Sequence, residues 1–281
     1  MMWIEQHQEV LRQIAVFGVI AVVVVWEFVA MRRPQQLRPS ARWTHNALLL
    51  VVWIGLARLL RPVGAVAVAS IAIDAGWGLL NWLNAPLPVE IVLAVLALDF
   101  FGYCWHRLYH HVPVLWRLHR VHHSDVDVDF TTGARHHPLI ALPAVVLHIA
   151  AILALGPAVV AVILFEVLDT AQEWLQHANA RTPRWLDRLV RPVLITPDMH
   201  RVHHSARQAE TDSNFGGVFS FWDRLFGTYR AQPRDGHDGM TLGLEAFREP
   251  RDHRIDRLLT QPFATPAPNA QTTEPTIPTL P

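Results

Sequence analysis

Three separated histidine boxes, with long apolar sequence before and between them, set the terms on which this chain folds. The first reads His106-Arg107-Leu108-Tyr109-His110-His111 and the second His119-Arg120-Val121-His122-His123; a near-copy of the second returns as His200-Arg201-Val202-His203-His204. Thirteen of the seventeen histidines fall between His106 and His204. On a helix, residues at i and i+4, or at i, i+3 and i+4, share one face. Each box therefore presents its imidazoles in one direction. Imidazoles facing an apolar bundle would each carry a desolvation cost without partners, and metal coordination satisfies them together. Neutral imidazole suits iron, zinc, copper and nickel. Eight such ligands exceed what one tetrahedral zinc needs, so the set fits two ions.

The apolar segments place the boxes. Residues 10–31 are almost wholly apolar and long enough for a span, which takes ~20 residues. The cluster Arg32, Arg33, Arg38 and Arg42 follows this segment, and the positive-inside rule puts it in the cytoplasm. Trp43 to about Ile73 reads as one long kinked span, bent at Pro62 and Gly64. Trp77 and Trp82 suit a membrane–water interface. Residues 89–105 form the next span and run straight into His106. Counting crossings, the first goes in, the second out and the third returns, so His106 lands on the cytoplasmic side. Residues 138–175 are broken by Gly156-Pro157 into two similar runs. If all boxes meet at one site, the crossings between His123 and His200 must be even in number, and a helical hairpin turning at Gly156-Pro157 supplies them. Glu166, Asp169 and Glu173 then belong near the cytoplasmic end of the second arm, facing the bundle. Residues 183–192 read as an interfacial helix, and 213–230 as a loop and short helix covering the metal site.

The expected fold is all-α: an integral-membrane helical bundle of about four to five spans, hairpin included, with a cytoplasmic histidine-rich cap. Residues 1–42 form an N-terminal span and basic loop, 43–260 the main domain, and 261–281 a proline-rich disordered tail. Formal net charge is zero, which gives no support for nucleic acid as a partner. Cys104 is the one cysteine, so neither an internal disulfide nor a cysteine-held iron–sulfur cluster is available. No Gly-x-Gly-x-x-Gly pattern is present, so a redox activity would draw its electrons from another protein.

Several motifs together resemble one family. They are Asp99-Phe100-Phe101-Gly102-Tyr103-Cys104-Trp105-His106-Arg107, Trp116-Arg117-Leu118-His119 through Ser124, and Arg135-His136-His137-Pro138. Gln176-His177-Ala178-Asn179, Thr196-Pro197-Asp198-Met199-His200 through Ser205, Asn214-Phe215-Gly216 and Trp222-Asp223 through Thr228 continue the series. In this order, over roughly residues 45–230, the chain resembles the fatty acid hydroxylase/sterol desaturase superfamily. The resemblance implies a membrane enzyme with a two-iron centre, in which zinc can substitute, that uses O2 to hydroxylate or desaturate a lipid. It implies an external electron donor: a reductase, ferredoxin or cytochrome. The implied ligands are His106, His110, His119, His122, His123, His200, His203 and His204, with His137 and His177 at further family positions. His111 and His136 are set beside the ligands, and His148 reads as a polar packing residue. Asp99, seven residues before His106 and so on the same helical face, is a candidate acceptor for an imidazole N–H. Asn214 is another. Asp125 and Asp198 read instead as solvated loop or cap residues.

Two other classes are weighed against this one. A membrane zinc hydrolase would show His-Glu-x-x-His, whereas here arginine follows the first histidine of each box. A non-enzymatic metal-binding protein such as a transporter would place ligands within the spans near the midplane, whereas these cluster at span ends.

Overall fold

The computed structural model describes residues 2–60 and 63–265, and among them every regular element is a helix, joined only by isolated bridges such as Met31–Ala180. Helices α1 (Met2–Val29), α2 (Pro39–Leu60), α3 (Ala65–Asp74), α4 (Leu79–Leu83) and α5 (Leu87–His111) lead into the first box. Helix α6 (Pro113–His123) carries the second, and α7 (Ala141–Leu155) with α8 (Val159–Gln176) forms the hairpin. Helices α9 (Arg184–Val190) and α10 (Pro197–His203) follow, and α10 carries the third box.

Among the described residues, four stretches are long and apolar enough to cross a bilayer: Arg12–Val29, Pro39–Asp74, Leu87–His111 and Pro138–Leu155. Helix α8 is the return arm, its apolar run interrupted by Glu166, Asp169 and Glu173. Pro62, where the sequence places a kink, lies outside the described residues; α2 ends at Leu60 and α3 starts after Gly64. Phe17, Val22, Val25 and Phe28 of α1, Val51 and Leu59 of α2, and Val92 of α5 all point outward. Such a surface would be a liability in water and is what acyl chains cover in a bilayer. Trp77, Trp82, Trp185 and Leu189 are exposed as well, as expected for residues at an interface.

Inside, the bundle is built on small residues. Ala65, Ala69, Ala94, Ala151 and Ala161 sit where α3, α5, α7 and α8 meet, with Leu98, Ile152, Leu155 and Phe165 filling the gaps. Small side chains let helix backbones approach, which is how helices associate without a hydrophobic drive between them. The hairpin turns at Gly156, whose φ of +60° is left-handed. Gly78 packs so closely there that a Cβ on it would lie 2.2 Å from the Gly156 nitrogen. The amide of Ala158 donates to Glu90 Oε1 at 2.8 Å. Glu90 lies in the first turn of α5, at the end opposite His106. The hairpin thus leaves the histidine end and returns to it, as the convergence of the boxes requires.

The cap is held to the spans by buried charge. Arg42 of α2 pairs with Asp125 at 2.8 Å and with Asp129. Arg135 donates to the Val121 carbonyl, Asn46 Oδ1 and Ser124 Oγ. The carboxylate of Glu27 on α1 accepts the amides of Phe130 and Asn179, both at 2.8 Å, and Arg33 donates to the Met240 carbonyl. Residues before Trp43 therefore pack into the same body as the rest. At the other end, Arg117 donates to the Pro262 carbonyl and Arg120 to that of Ala264. The packed body therefore runs past residue 261, where the sequence starts a disordered tail; residues 266–281 lie outside the described residues.

Candidate metal centre

The three boxes meet. Pro113 starts α6 and Pro197 starts α10, each within the first helical turn, where a missing N–H costs nothing. The Thr196 hydroxyl accepts the Met199 amide and caps α10. Both helices are short, and each ends on its histidines. Nitrogens from His106, His110, His119, His123 and His203 lie within 4.8 Å of one another, and so do nitrogens from His122, His177, His200 and His204. Nine of the ten ligands expected from the sequence therefore form two groups, of five and four.

Hydrogen bonds to fixed oxygens orient five of the nine rings. The Nδ1 of His106 faces the Phe215 carbonyl at 2.9 Å, that of His203 the Ser213 carbonyl at 2.7 Å, and that of His110 the Asp212 carboxylate at 3.1 Å. In the second group His122 Nδ1 faces the Thr132 carbonyl at 3.2 Å and His177 Nδ1 the Glu173 carbonyl at 2.7 Å. A carbonyl only accepts, so each of those Nδ1 atoms carries the proton and each Nε2 is a bare lone pair. Yet His122 Nε2 and His177 Nε2 lie 3.2 Å apart. Two lone pairs at that distance repel unless a cation lies between or beside them. His200 Nε2 is 2.9 Å and His204 Nε2 3.2 Å from the same His177 nitrogen. In the first group, His119 Nε2 lies 3.3 Å from His106 Nε2 and 3.1 Å from His123 Nε2. The Nε2 atoms of His110 and His203 are buried with no protein partner. This donor set fits two metal ions, with carbonyls and a carboxylate behind the ligands as bound imidazoles require.

Burial, and then the neighbouring imidazoles, push the pKa values of His119, His122, His123, His200, His203 and His204 well below the ordinary histidine value. Their rings are neutral at physiological pH, the form that binds metal.

Three expected residues do something else. His137 caps the turn at Pro138: its Nδ1 accepts the Leu139 amide at 3.2 Å and its Nε2 donates to the Leu259 carbonyl at 3.1 Å. Both nitrogens are spent, and His137 joins neither group. Asp99 meets no imidazole. Its carboxylate accepts from the Val218 and Phe219 amides and from Trp222 Nε1, at 2.8, 3.2 and 2.8 Å. It thereby clamps the segment that supplies the Phe215 carbonyl. Asn214, at φ +53°, donates to the Met199 and Arg230 carbonyls and pins the same segment to α10. Asp125 is buried rather than solvated, and its pKa is held well below the usual range, the Arg42 and Arg135 guanidiniums outweighing the effect of burial.

His136 stacks on His122 with ring centroids 4.6 Å apart and reaches Glu173 at 3.3 Å. His111 bonds its own helix at the Arg107 carbonyl. His148 faces Glu166 at 3.8 Å, between the hairpin arms. Sequence reasoning missed Asp212 and Ser213 as orienting groups; nothing in their spacing links them to the boxes. It placed Glu173 only as a carboxylate facing the bundle, although the i, i+4 step from Glu173 to His177 carries the signal.

A cavity of about 240 Å³ lies beside the groups, with residues of α2, α5 and α7 in its lining. Trp53, Trp105, Tyr109, Ile140 and Ala144 give it apolar walls, and Asp169, Glu173 and His136 share its lining.

Residues 91–228 match the fatty acid hydroxylase family. Among curated proteins the chain is similar to human alkylglycerol monooxygenase, 33% identical over 179 residues, covering 62% of this chain and 38% of the relative. It is 30% identical over 152 residues to an ornithine lipid hydroxylase of Rhizobium tropici, covering 53% and 44%. It is 27% identical over 172 residues to mouse cholesterol 25-hydroxylase, covering 55% of each. The chain thus spans about two-fifths to a little over half of the length of these relatives. No solved structure matches.

Proposed function

Because the chain belongs to the fatty acid hydroxylase/sterol desaturase superfamily, we propose that it is a membrane-bound, O2-dependent and iron-dependent oxygenase that hydroxylates a C–H bond of a lipid. One observation carries this reading beyond the resemblance: nine imidazoles converge in two groups, with lone pairs facing one another at contact distance. Two iron ions held there would supply the redox chemistry that activates O2 toward an unactivated C–H bond.

The protein's own part is positioning. The carbonyls of Thr132, Ser213, Phe215 and Glu173 hold the ring protons on Nδ1, so every oriented Nε2 stays available. Trp53, Trp105, Ile140 and Ala144 line the cavity, and they lie in segments long and apolar enough to span, which supports entry from the bilayer. A lipid entering between α2, α5 and α7 would bring an apolar chain or ring to the histidines without crossing water, and its bulk would displace water from the cavity. The named relatives act on an alkylglycerol, an ornithine lipid and cholesterol, and a bilayer-resident substrate fits the same route. The arginines at positions 32, 33 and 38, which follow the first span on the side of the histidines, support a cytoplasmic placement of the centre by the positive-inside rule.

The test is metal content together with lipid mass spectrometry. Protein from iron-replete cells should carry close to two iron ions per chain. Supplied with O2, a chemical reductant and membrane lipid, it should add one labelled oxygen atom to a lipid from labelled O2. His122→Ala and His203→Ala should lose both metal and product, and His111→Ala should lose neither. A single tightly held zinc per chain, or equal loss in His111→Ala, would reject the reading.

A further inference from the structure

A second cleft comes within one aromatic side chain of the histidines. It is an open cleft of about 770 Å³, walled by Trp116, Arg120, Arg207, Arg230, Arg234 and Phe247. It shares no lining residue with the apolar cavity described above. Trp116 lines the cleft and also touches the centre: its indole lies 4.9 Å from the His110 ring and 5.4 Å from the His123 ring, centroid to centroid. Both histidines belong to the five-ring group.

The cleft is cationic at its rim. Neither the Arg230 nor the Arg234 guanidinium makes an ion pair or hydrogen bond with another described residue, and Arg234 is exposed. Arg207 shares an exposed pair with Asp235. Arg120 donates only to the carbonyls of Gln261 and Ala264 and stacks over Phe247. Of the two acids in the wall, Glu210 is sunk into the protein with one oxygen accepting the Arg234 amide, and Glu245 is exposed and engaged. With Asp235 counted against Arg207, four guanidiniums face three carboxylates, and the unpaired charge left at Arg230 and Arg234 attracts anionic surfaces and suppresses cationic ones.

We propose that this cleft is where an acidic one-electron carrier protein docks, and that Trp116 is the bridge by which its electrons reach the histidine centre. The proposal rests on the oxygenase reading above. Inserting one atom of O2 into a C–H bond and releasing the other as water consumes two electrons and two protons beyond those of the substrate. The carrier is oxidised twice, one electron at a time, and the protons come from solvent. While a lipid fills the apolar cavity, electrons must enter from another side. The cleft is open, charged and one aromatic ring from a ligand pair. Electron-transfer encounters are small and weak, so a few guanidiniums suffice to orient one.

The test uses the full-length holoenzyme in nanodiscs of zwitterionic lipid, with an acidic [2Fe–2S] ferredoxin as the probe. Wild-type protein should bind the ferredoxin with an affinity that falls as salt rises. The double variant Arg230→Glu/Arg234→Glu should weaken binding at least tenfold and lose most of the salt dependence. Trp116→Phe and Trp116→Leu should bind the ferredoxin normally but slow its oxidation, Leu more than Phe, with metal content unchanged. Turnover driven by dithionite should be the same in wild type and in the double variant. Its absence in the wild type would reject the oxygenase reading, while ferredoxin binding would still report on the cleft. The docking proposal fails if wild type does not bind the ferredoxin or if the charge reversals leave binding unchanged. It fails too if inorganic phosphate saturates the cleft while ferredoxin binding survives the reversals. The bridge fails if Trp116→Leu oxidises bound ferredoxin at the wild-type rate.

Discussion

Asp99→Asn should damage this protein without touching a metal ligand. The carboxylate is 1% exposed and accepts three hydrogen bonds, one oxygen taking the Val218 amide and the other the Phe219 amide and the Trp222 indole. An asparagine has the same shape but only one acceptor. Whichever way its amide turns, the NH2 faces at least one of those N–H donors. One or two charge-assisted bonds are lost and their donors stay buried, at about 1.5–3 kcal/mol each, so the expected cost is about 2–5 kcal/mol. At roughly 2–4 °C per kcal/mol for a chain of this size, the melting temperature should fall by roughly 5–15 °C. The loosened segment includes Phe215, whose carbonyl fixes His106. Metal should therefore leave the five-ring group first. The assay is thermal melting of purified protein by tryptophan fluorescence, with metal content measured after challenge by a chelator. An asparagine variant that melts within a degree of wild type and keeps its metal would show that the clamp does not hold the loop.

Two further outcomes follow from the same geometry. His177→Ala leaves three nitrogens in its group and His106→Ala leaves four, so His177→Ala should lose one metal equivalent at a lower chelator concentration than His106→Ala, read by metal analysis after dialysis. His253 is buried beside Arg135, and its pKa is pushed down to about 3, chiefly by burial and then by that guanidinium. The folded value lies below the unfolded ~6.5, so the unfolded chain takes up the proton first. The stabilisation is present above pH ~6.5 and is lost as pH falls, at up to about 1.4 kcal/mol per unit. His253→Gln, which keeps an acceptor for Arg135, should flatten the melting-temperature profile between about pH 7 and 5 relative to wild type, and an unchanged slope would contradict the assignment.

The spans and the convergence of the boxes were legible because both rest on local periodicity. An apolar run of given length and an i, i+3, i+4 spacing mean the same thing wherever the chain goes, and the crossing-parity argument turned them into a hairpin. What stayed hidden depended on distant partners. His137 follows the motif pattern but sits at a turn where Leu139 and Leu259 occupy both its nitrogens. Asp99 lies on the face of His106 in α5, yet the donors that reach it come from residues more than a hundred positions away. Asp125 reads as a loop residue until Arg42, from a different helix, is placed against it. His253 lies outside every box, in a proline-led turn, and only the fold buries it.

The near-identity of the second and third boxes has a structural meaning that neither box shows alone. In α6, His119 and His123 enter the five-ring group and His122 crosses to the four-ring group; in α10, His200 and His204 enter the four-ring group and His203 crosses to the five-ring group. Each helix gives its i and i+4 rings to one group and its i+3 ring to the other, in opposite senses. On a helical face the i+3 ring lies to one side of the line joining i and i+4. Two similar faces meeting across the centre then supply two rings to the near group and one to the far. Neither group of rings can be dismantled by moving one helix without disturbing the other. The pairing also explains why the orienting oxygens come from outside the box helices: Thr132, Ser213 and Phe215, and Glu173 of α8, approach from outside the pair, where the backs of the rings are accessible. The loops at 124–137 and 212–222 are thus the part of the cap that sets ring orientation, and the buried Arg42 and Asp99 clamps act on the centre through them.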